Sequence, residues 1–238
     1  MFLKVLKHEF KQATRDRMYV FFIFFEVVLI STSSLLLPYL ERSVSQTVST
    51  LALIVLLLMT GIIFGAISGF SMLDDQDDGV LFSLKITPIS MNTYIILKLF
   101  IAFIFSFIGT FALFLIMDLI SFEFLLVNMM TILLASLQAP FIALVMSSFA
   151  QNKVEGFVIM KLTGLTLIGP IVSLFIFDYK EFFLSIFPGF WPARLLLMQT
   201  TSLSFTFTSS EIYFVLGLCV NLLIMYALFK VFQKRKLM

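Results

Sequence analysis

The chain has 238 residues, of which 61% are hydrophobic and 13% charged, with 31 phenylalanines and a formal net charge of +2. Soluble domains carry about a quarter charged residues, so this composition, with a mean hydropathy of +1.09, excludes a soluble protein and identifies an integral membrane one. The lipid bilayer is its solvent, and no nucleic-acid partner is expected.

Residues 1–17 place Lys4, Lys7, Lys11 and Arg15 on one side of a helix and Phe2, Leu6, Phe10 and Ala13 on another. That pattern predicts an amphipathic interfacial helix on the inner leaflet, the alternative being a solvated basic start that only sets topology. The opening "MFLKVLKHEF" lacks the short apolar core and cleavage site of a secretory signal, so the first span is expected to stay as an anchor. Crossing a bilayer takes about 20 apolar residues, and six segments qualify: 18–37, 47–72, 94–117, 125–150, 157–177 and 212–232. The prediction is an all-α integral membrane protein with six transmembrane helices in one domain, residues 1–238. Thirteen of the sixteen basic residues fall before the first span, after the sixth, or beside the second-to-third and fourth-to-fifth connections; only Arg42, Lys180 and Arg194 fall on the other side. The excess of positive charge places both termini in the cytoplasm.

Within the spans, Glu26 lies about 12 Å from the cytoplasmic end at 1.5 Å per residue, and Lys161 lies near the cytoplasmic end of the fifth span. Ionisable groups at such depth face a bundle interior or a wet cavity. Glu26 is therefore a candidate for the pathway lining or a subunit interface, with a structural pair or a protonated carboxyl as the alternative. Lys161 either pairs with it or extends to the headgroups. In the second span, "GIIFGAISG" repeats Gly61, Gly65 and Gly69 every four residues, leaving one face bare for a neighbouring helix. Asn128, Gln138 and Asn221 read as interhelical hydrogen bonds, and Pro140 and Pro170 as bends. Cys219 stands alone and makes no intrachain disulfide.

Residues 179–211 form a long external segment in which Phe182 to Met198 is too apolar for a loop in water, and Pro188, Gly189 and Pro192 divide it. They are expected to re-enter the outer leaflet as helix, break, helix, with Trp191 and Arg194 near the headgroups; a hydrophobic cap over the bundle is the other reading.

Residues 73–93 contain "DDQDDGVLFSLKITPIS", four aspartates within five positions. Asp77 or Asp78 is expected to cap a short helix with Gly79 to Ile86 as its body and Pro88 ending it. Val80, Leu81 and Leu84 would lie on one apolar flank that calls for a protein partner. Ser90 or Asn92 would cap the third span.

Here the chain resembles the membrane permease subunits of type-2 ATP-binding-cassette (ABC) exporters. The residues that carry the resemblance are Asp78-Gly79, "LFSLKITPIS", Tyr94 and Lys98; "SSFAQNKVEG" between the fourth and fifth spans; and "FPGFWPARLL" before the sixth. The resemblance implies that residues 73–93 form a cytoplasmic coupling loop whose helix enters a groove on an ATPase. It also implies a homodimer or a pair with a similar permease, and two copies of the ATPase. Asp74 and Asp75 exceed the family's pattern. The chain has no G-x-x-x-x-G-K-[ST] loop, so ATP and magnesium belong on the partner ATPase and this chain binds no cofactor. Its aromatic, weakly charged spans favour an amphiphilic or hydrophobic cargo such as a drug, peptide or lipid. Catalysis at membrane depth lacks its nucleophile with base or its metal ligands, since the one histidine is His8. A proton-coupled secondary carrier using Glu26, or a membrane immunity or sensor protein that does not transport, are the alternatives.

Overall fold

The computed structural model describes residues 17–80, 90–200 and 205–236. Among these residues every regular element is a helix, and six helical segments are long and apolar enough to cross a membrane. The interfacial helix expected for residues 1–17 falls almost wholly outside the described residues, as do Leu81, Leu84 and Pro88.

Helix α1 (Arg17–Ser43) and helix α2 (Gln46–Asp77) are joined by two residues, and the Ser45 side chain caps α2 by accepting from the Val48 N–H at 3.3 Å. So short a connection leaves the two helices antiparallel and adjacent. Helix α3 (Met91–Ile116) starts at Ser90, whose hydroxyl accepts from the Thr93 N–H at 3.2 Å, an N-cap that satisfies one orphan donor of the first turn.

The fourth span is two helices, α4 (Leu125–Ser136) and α5 (Gln138–Phe149), broken at Leu137. Pro140 is the cause: its ring obstructs the Ser136 carbonyl four residues earlier, and Ser136 turns its hydroxyl back to the Ile132 carbonyl at 2.6 Å. The fifth span begins as α6 (Lys153–Thr163), where Asn152 accepts from the Glu155 N–H at 3.0 Å and Glu155 accepts from the Gln151 N–H at 2.8 Å, a reciprocal cap. It tightens to a 3-10 turn over Gly164–Leu167 before α7 (Ile168–Val172), which contains Pro170. Beyond it come a 3-10 helix (Tyr179–Leu184), helix α8 (Phe190–Thr200) and the last span, α9 (Ser210–Lys236).

Alternation of the spans puts residue 17, the 78–90 connection, residues 150–152 and residue 236 at one end of the bundle, here the terminal face. The other end is the far face. Helix α2 is the central element, packed against α1, α3 and α5. Its glycines set the closest approach: a Cβ on Gly61 would lie 2.5 Å from Gln138 Cβ, one on Gly65 2.7 Å from the Ala139 carbonyl oxygen, and one on Gly69 2.8 Å from Met146 Sδ. The bare face is thus filled by α5, whose Gln138, Ala139, Ile142 and Met146 lie closer than any side chain on that face of α2 would permit.

Candidate coupling and transport site

Helix α2 runs five residues past the expected limit of the second span, so Asp74, Asp75 and Asp77 occupy its final turns. Asp78 is its C-cap, donating its N–H to the Asp74 carbonyl at 2.8 Å, and Gly79 follows at φ +67°, donating to the Gln76 carbonyl at 3.2 Å. This corrects the expectation that Asp77 and Asp78 begin a short helix: they close a long one, because glycine in the left-handed conformation ends α2 after them. Helical structure resumes at Val80.

Carboxylates at a helix C-terminus meet the negative end of the macrodipole and need cations. Two arrive from other elements. Lys98 of α3, 2% exposed, ion-pairs with Asp75, itself 5% exposed. The same ammonium donates to Ser71 Oγ at 2.7 Å and to the Ser71 carbonyl at 3.3 Å, while the Tyr94 hydroxyl donates to Asp75 Oδ2 at 2.8 Å. Ser71 and Asp75 stand one turn apart on α2, as Tyr94 and Lys98 do on α3, so two facing i, i+4 pairs interlock. Asp74 points the other way: it accepts from the Tyr19 hydroxyl of α1 at 2.6 Å and pairs with Lys153 of α6 at 2.8 Å. Adjacent aspartates therefore fasten α1, α2, α3 and α6 together at the root of the 78–90 connection.

Deeper in the bundle, Glu26 on α1 is 3% exposed, and among the described residues neither carboxyl oxygen completes a hydrogen bond. The neighbouring Thr60 hydroxyl donates instead to the Leu56 carbonyl at 3.3 Å. Lys161 is exposed on the outer side of α6, and no ion pair joins it to Glu26. The two part because Glu26 faces α2, whereas a lysine on a lipid-facing helix can extend its chain towards the headgroups.

At the far face, Arg194 of α8 is completely buried and pairs with Glu181 at 2.7 Å, also completely buried. Its guanidinium donates to the Ile176 carbonyl and lies 5.2 to 5.5 Å from the rings of Phe177, Phe190 and Phe205. The Tyr213 hydroxyl of α9 donates to the other Glu181 oxygen at 2.6 Å, and Trp191 donates its indole N–H to the Ser185 carbonyl at 3.0 Å. Both side chains are enclosed by protein, and Glu181 and the aromatic rings supply the counter-charge and stacking around the guanidinium. Pro188, Gly189 and Pro192 are buried at the break and start of α8, and Gly189 fits against Pro170 and Leu58.

An apolar groove of about 590 Å³ runs between α3, α5 and α9, lined by residues that include Phe100, Phe103, Pro140, Leu144, Tyr226 and Phe229.

The family model of the fluoroquinolones export permease protein Rv2686c-like matches residues 9–229. The chain belongs to this family. Two curated members are similar over nearly the whole length, the fluoroquinolones export permease proteins MT2760 and Rv2686c of Mycobacterium tuberculosis strains CDC 1551 and H37Rv. Each is 23% identical over 247 residues, covering 96% of this chain and 92% of the relative. As a member of an export permease family with six membrane-length helices, the chain is a multi-pass membrane transport protein.

In this permease the sequence pattern reached the glycine face and Glu26 but not the terminal-face and far-face ion pairs. A usable signal existed: Ser71 with Asp75, and Tyr94 with Lys98, both spaced four apart on either side of one connection. For Glu181 and Tyr213, separated from Arg194 by 13 and 19 positions, no local spacing announces the contact.

Proposed function

We propose that this chain is the permease subunit of an ATP-driven ABC exporter, forming half of the transmembrane pathway with a second copy or a similar permease, and coupled to two copies of a separate ATPase. The terminal face is cytoplasmic in this reading, the membrane is the cell membrane, and residues 78–90 meet the ATPase. One observation carries it: the buried Asp75–Lys98 pair with Ser71 and Tyr94 joins the two helices that enter and leave this connection. A push on the connection would then move α2 and α3 as one body, and through Asp74 would pull on α1 and α6. ATP and magnesium act on the partner.

The cargo in this reading is an amphiphilic or hydrophobic molecule, with the fluoroquinolone class, named for the relatives, as the first to test. The test is co-purification with an ATP-binding-cassette ATPase from the same cells, followed by ATP-dependent loss of a fluorescent fluoroquinolone from reconstituted vesicles. Lys98→Met should retain the ATPase in the pull-down but lose cargo-stimulated hydrolysis. Glu26, buried and without a hydrogen bond among the described residues, favours the second reading of a proton-coupled carrier. Export that follows a pH gradient and proceeds without ATP would select that reading and reject the first.

A further inference from the structure

Beside the interlocked Ser71–Asp75 and Tyr94–Lys98 pairs lies a small cavity of about 10 Å³ where α2, α3 and α9 meet. Four of its lining residues are polar, Asp75, Gln76, Tyr94 and Lys98, and Phe232 of α9, 1% exposed, lines it from the other side. Gln76 is the polar member that the ion-pair network does not use. Its side-chain oxygen and nitrogen are both buried, and neither has a hydrogen-bond partner among the described residues. Its backbone is engaged, since its carbonyl accepts from the Gly79 N–H at 3.2 Å where α2 ends. A buried amide that completes no hydrogen bond is costly to keep, and this one lines a cavity rather than a packed wall.

Size and charge together select the occupant. The cavity has the volume of one water molecule, for which about 10–15 Å³ suffices, and it admits no organic ligand. A further cation would lie against the Lys98 ammonium and an anion against the Asp75 carboxylate. Water is neutral and both donates and accepts, and a polar cavity of this size is hydrated where an apolar one stays dry.

We propose that this cavity is the site of one structural water molecule, held by Gln76. The amide N–H donates to the water, and the water donates on to the Asp75 carboxylate, which offers about four acceptor positions and receives Lys98 and Tyr94 on Oδ2. Gln76 is thereby a positioning residue that acts on the ion pair through the water. The site depends neither on the exporter reading nor on which side of the membrane the terminal face occupies.

A cryo-electron microscopy map of the purified, unmodified permease, fine enough to show ordered water, should carry one peak within hydrogen-bond distance of both the Gln76 amide and the Asp75 carboxylate. Well-resolved side chains with no peak between them would overturn the proposal. Thermal unfolding in detergent is the second readout. Gln76→Leu keeps the size and removes the amide, so the melting temperature should fall by about 3 °C if the water is held; an amide that bonds to nothing is better replaced by leucine, and an unchanged or higher melting temperature would reject the water. In the Asp75→Leu, Lys98→Met background, where the water has lost its acceptor, the same change should cost nothing further. Equal losses in the two backgrounds would make Gln76 a packing residue and end its positioning role. Exchanging sodium for potassium, or chloride for nitrate, at constant ionic strength should leave the melting temperature unchanged. Stabilisation by one ion that Gln76→Leu abolishes would assign the cavity to that ion and remove the water from it.

Discussion

Buried charge in this permease is placed where helix ends disfavour it and neighbours rescue it. Asp75 sits at the negative end of α2, and its burial is tolerable because Lys98, Tyr94 and Ser71 surround it. Removing one member of such a pair strands the other: Lys98→Met should cost about 3–5 kcal/mol, whereas the double substitution Asp75→Leu with Lys98→Met should restore much of the stability. Thermal unfolding in detergent measures both, and equal losses in the single and double variants would mean that the pair is not the unit of stability. The same reasoning applies to Arg194, completely buried between Glu181 and three rings. Arg194→Met, which strands the buried Glu181 carboxylate, should lower stability by a similar amount, and Glu181→Gln, which leaves the buried Arg194 guanidinium without its counter-charge, should cost somewhat less because Gln still accepts from Tyr213 and offers Arg194 an acceptor. The melting temperatures of the two variants decide this order.

Among the elements, α2 does the most to position the rest. Three glycines let α5 approach within side-chain-free distance, so Gly65→Leu, whose Cβ alone would lie 2.7 Å from the Ala139 carbonyl oxygen and from Ile142 Cβ, should separate the two helices and sharply reduce folded yield. Ile96→Leu on an exposed face of α3 should be silent. Size-exclusion profiles after detergent extraction compare them, and matching profiles would remove the packing role of the stripe. Helix α1 presents Glu26 inward and a row of exposed aromatics outward. Glu26→Gln keeps shape and polarity, while Glu26→Leu removes both; transport should fall in the first and fall further in the second, with both proteins assembling. Unchanged transport in both would make the carboxyl a bystander.

For the whole molecule, the six spans must alternate, so one orientation test fixes every connection. Cysteines replacing Arg42 and Thr208, both exposed at the far face, should react with an impermeant thiol reagent on intact cells in a background carrying Cys219→Ser. Cysteines replacing Asp77 and Lys234, exposed at the terminal face, should react only after lysis. The reverse pattern would invert the proposed direction of coupling. The bundle also has a division of stiffness. Its terminal face is knit by ion pairs around the 78–90 connection, and its far face is closed by the Arg194 cluster, with the weakly polar helices between them. Both faces hold charges that would be costly to separate.

The sequence by itself determined the class, the number of spans, the bends at Pro140 and Pro170 and the glycine face of α2, because each follows from local rules: helix length against bilayer thickness, a missing N–H, a missing Cβ. It misplaced the aspartates, since the end of α2 depends on Gly79 and on whether carboxylates so near the bilayer find cations, and a propensity argument for an N-cap contains neither. Only the tertiary structure decided that Lys98 and Lys153 supply them, that Lys161 turns away from Glu26, and that Arg194 finds Glu181. Those outcomes rest on contacts between residues up to 79 positions apart, where burial fixes the partner because an uncompensated charge in a low dielectric has no other place to go.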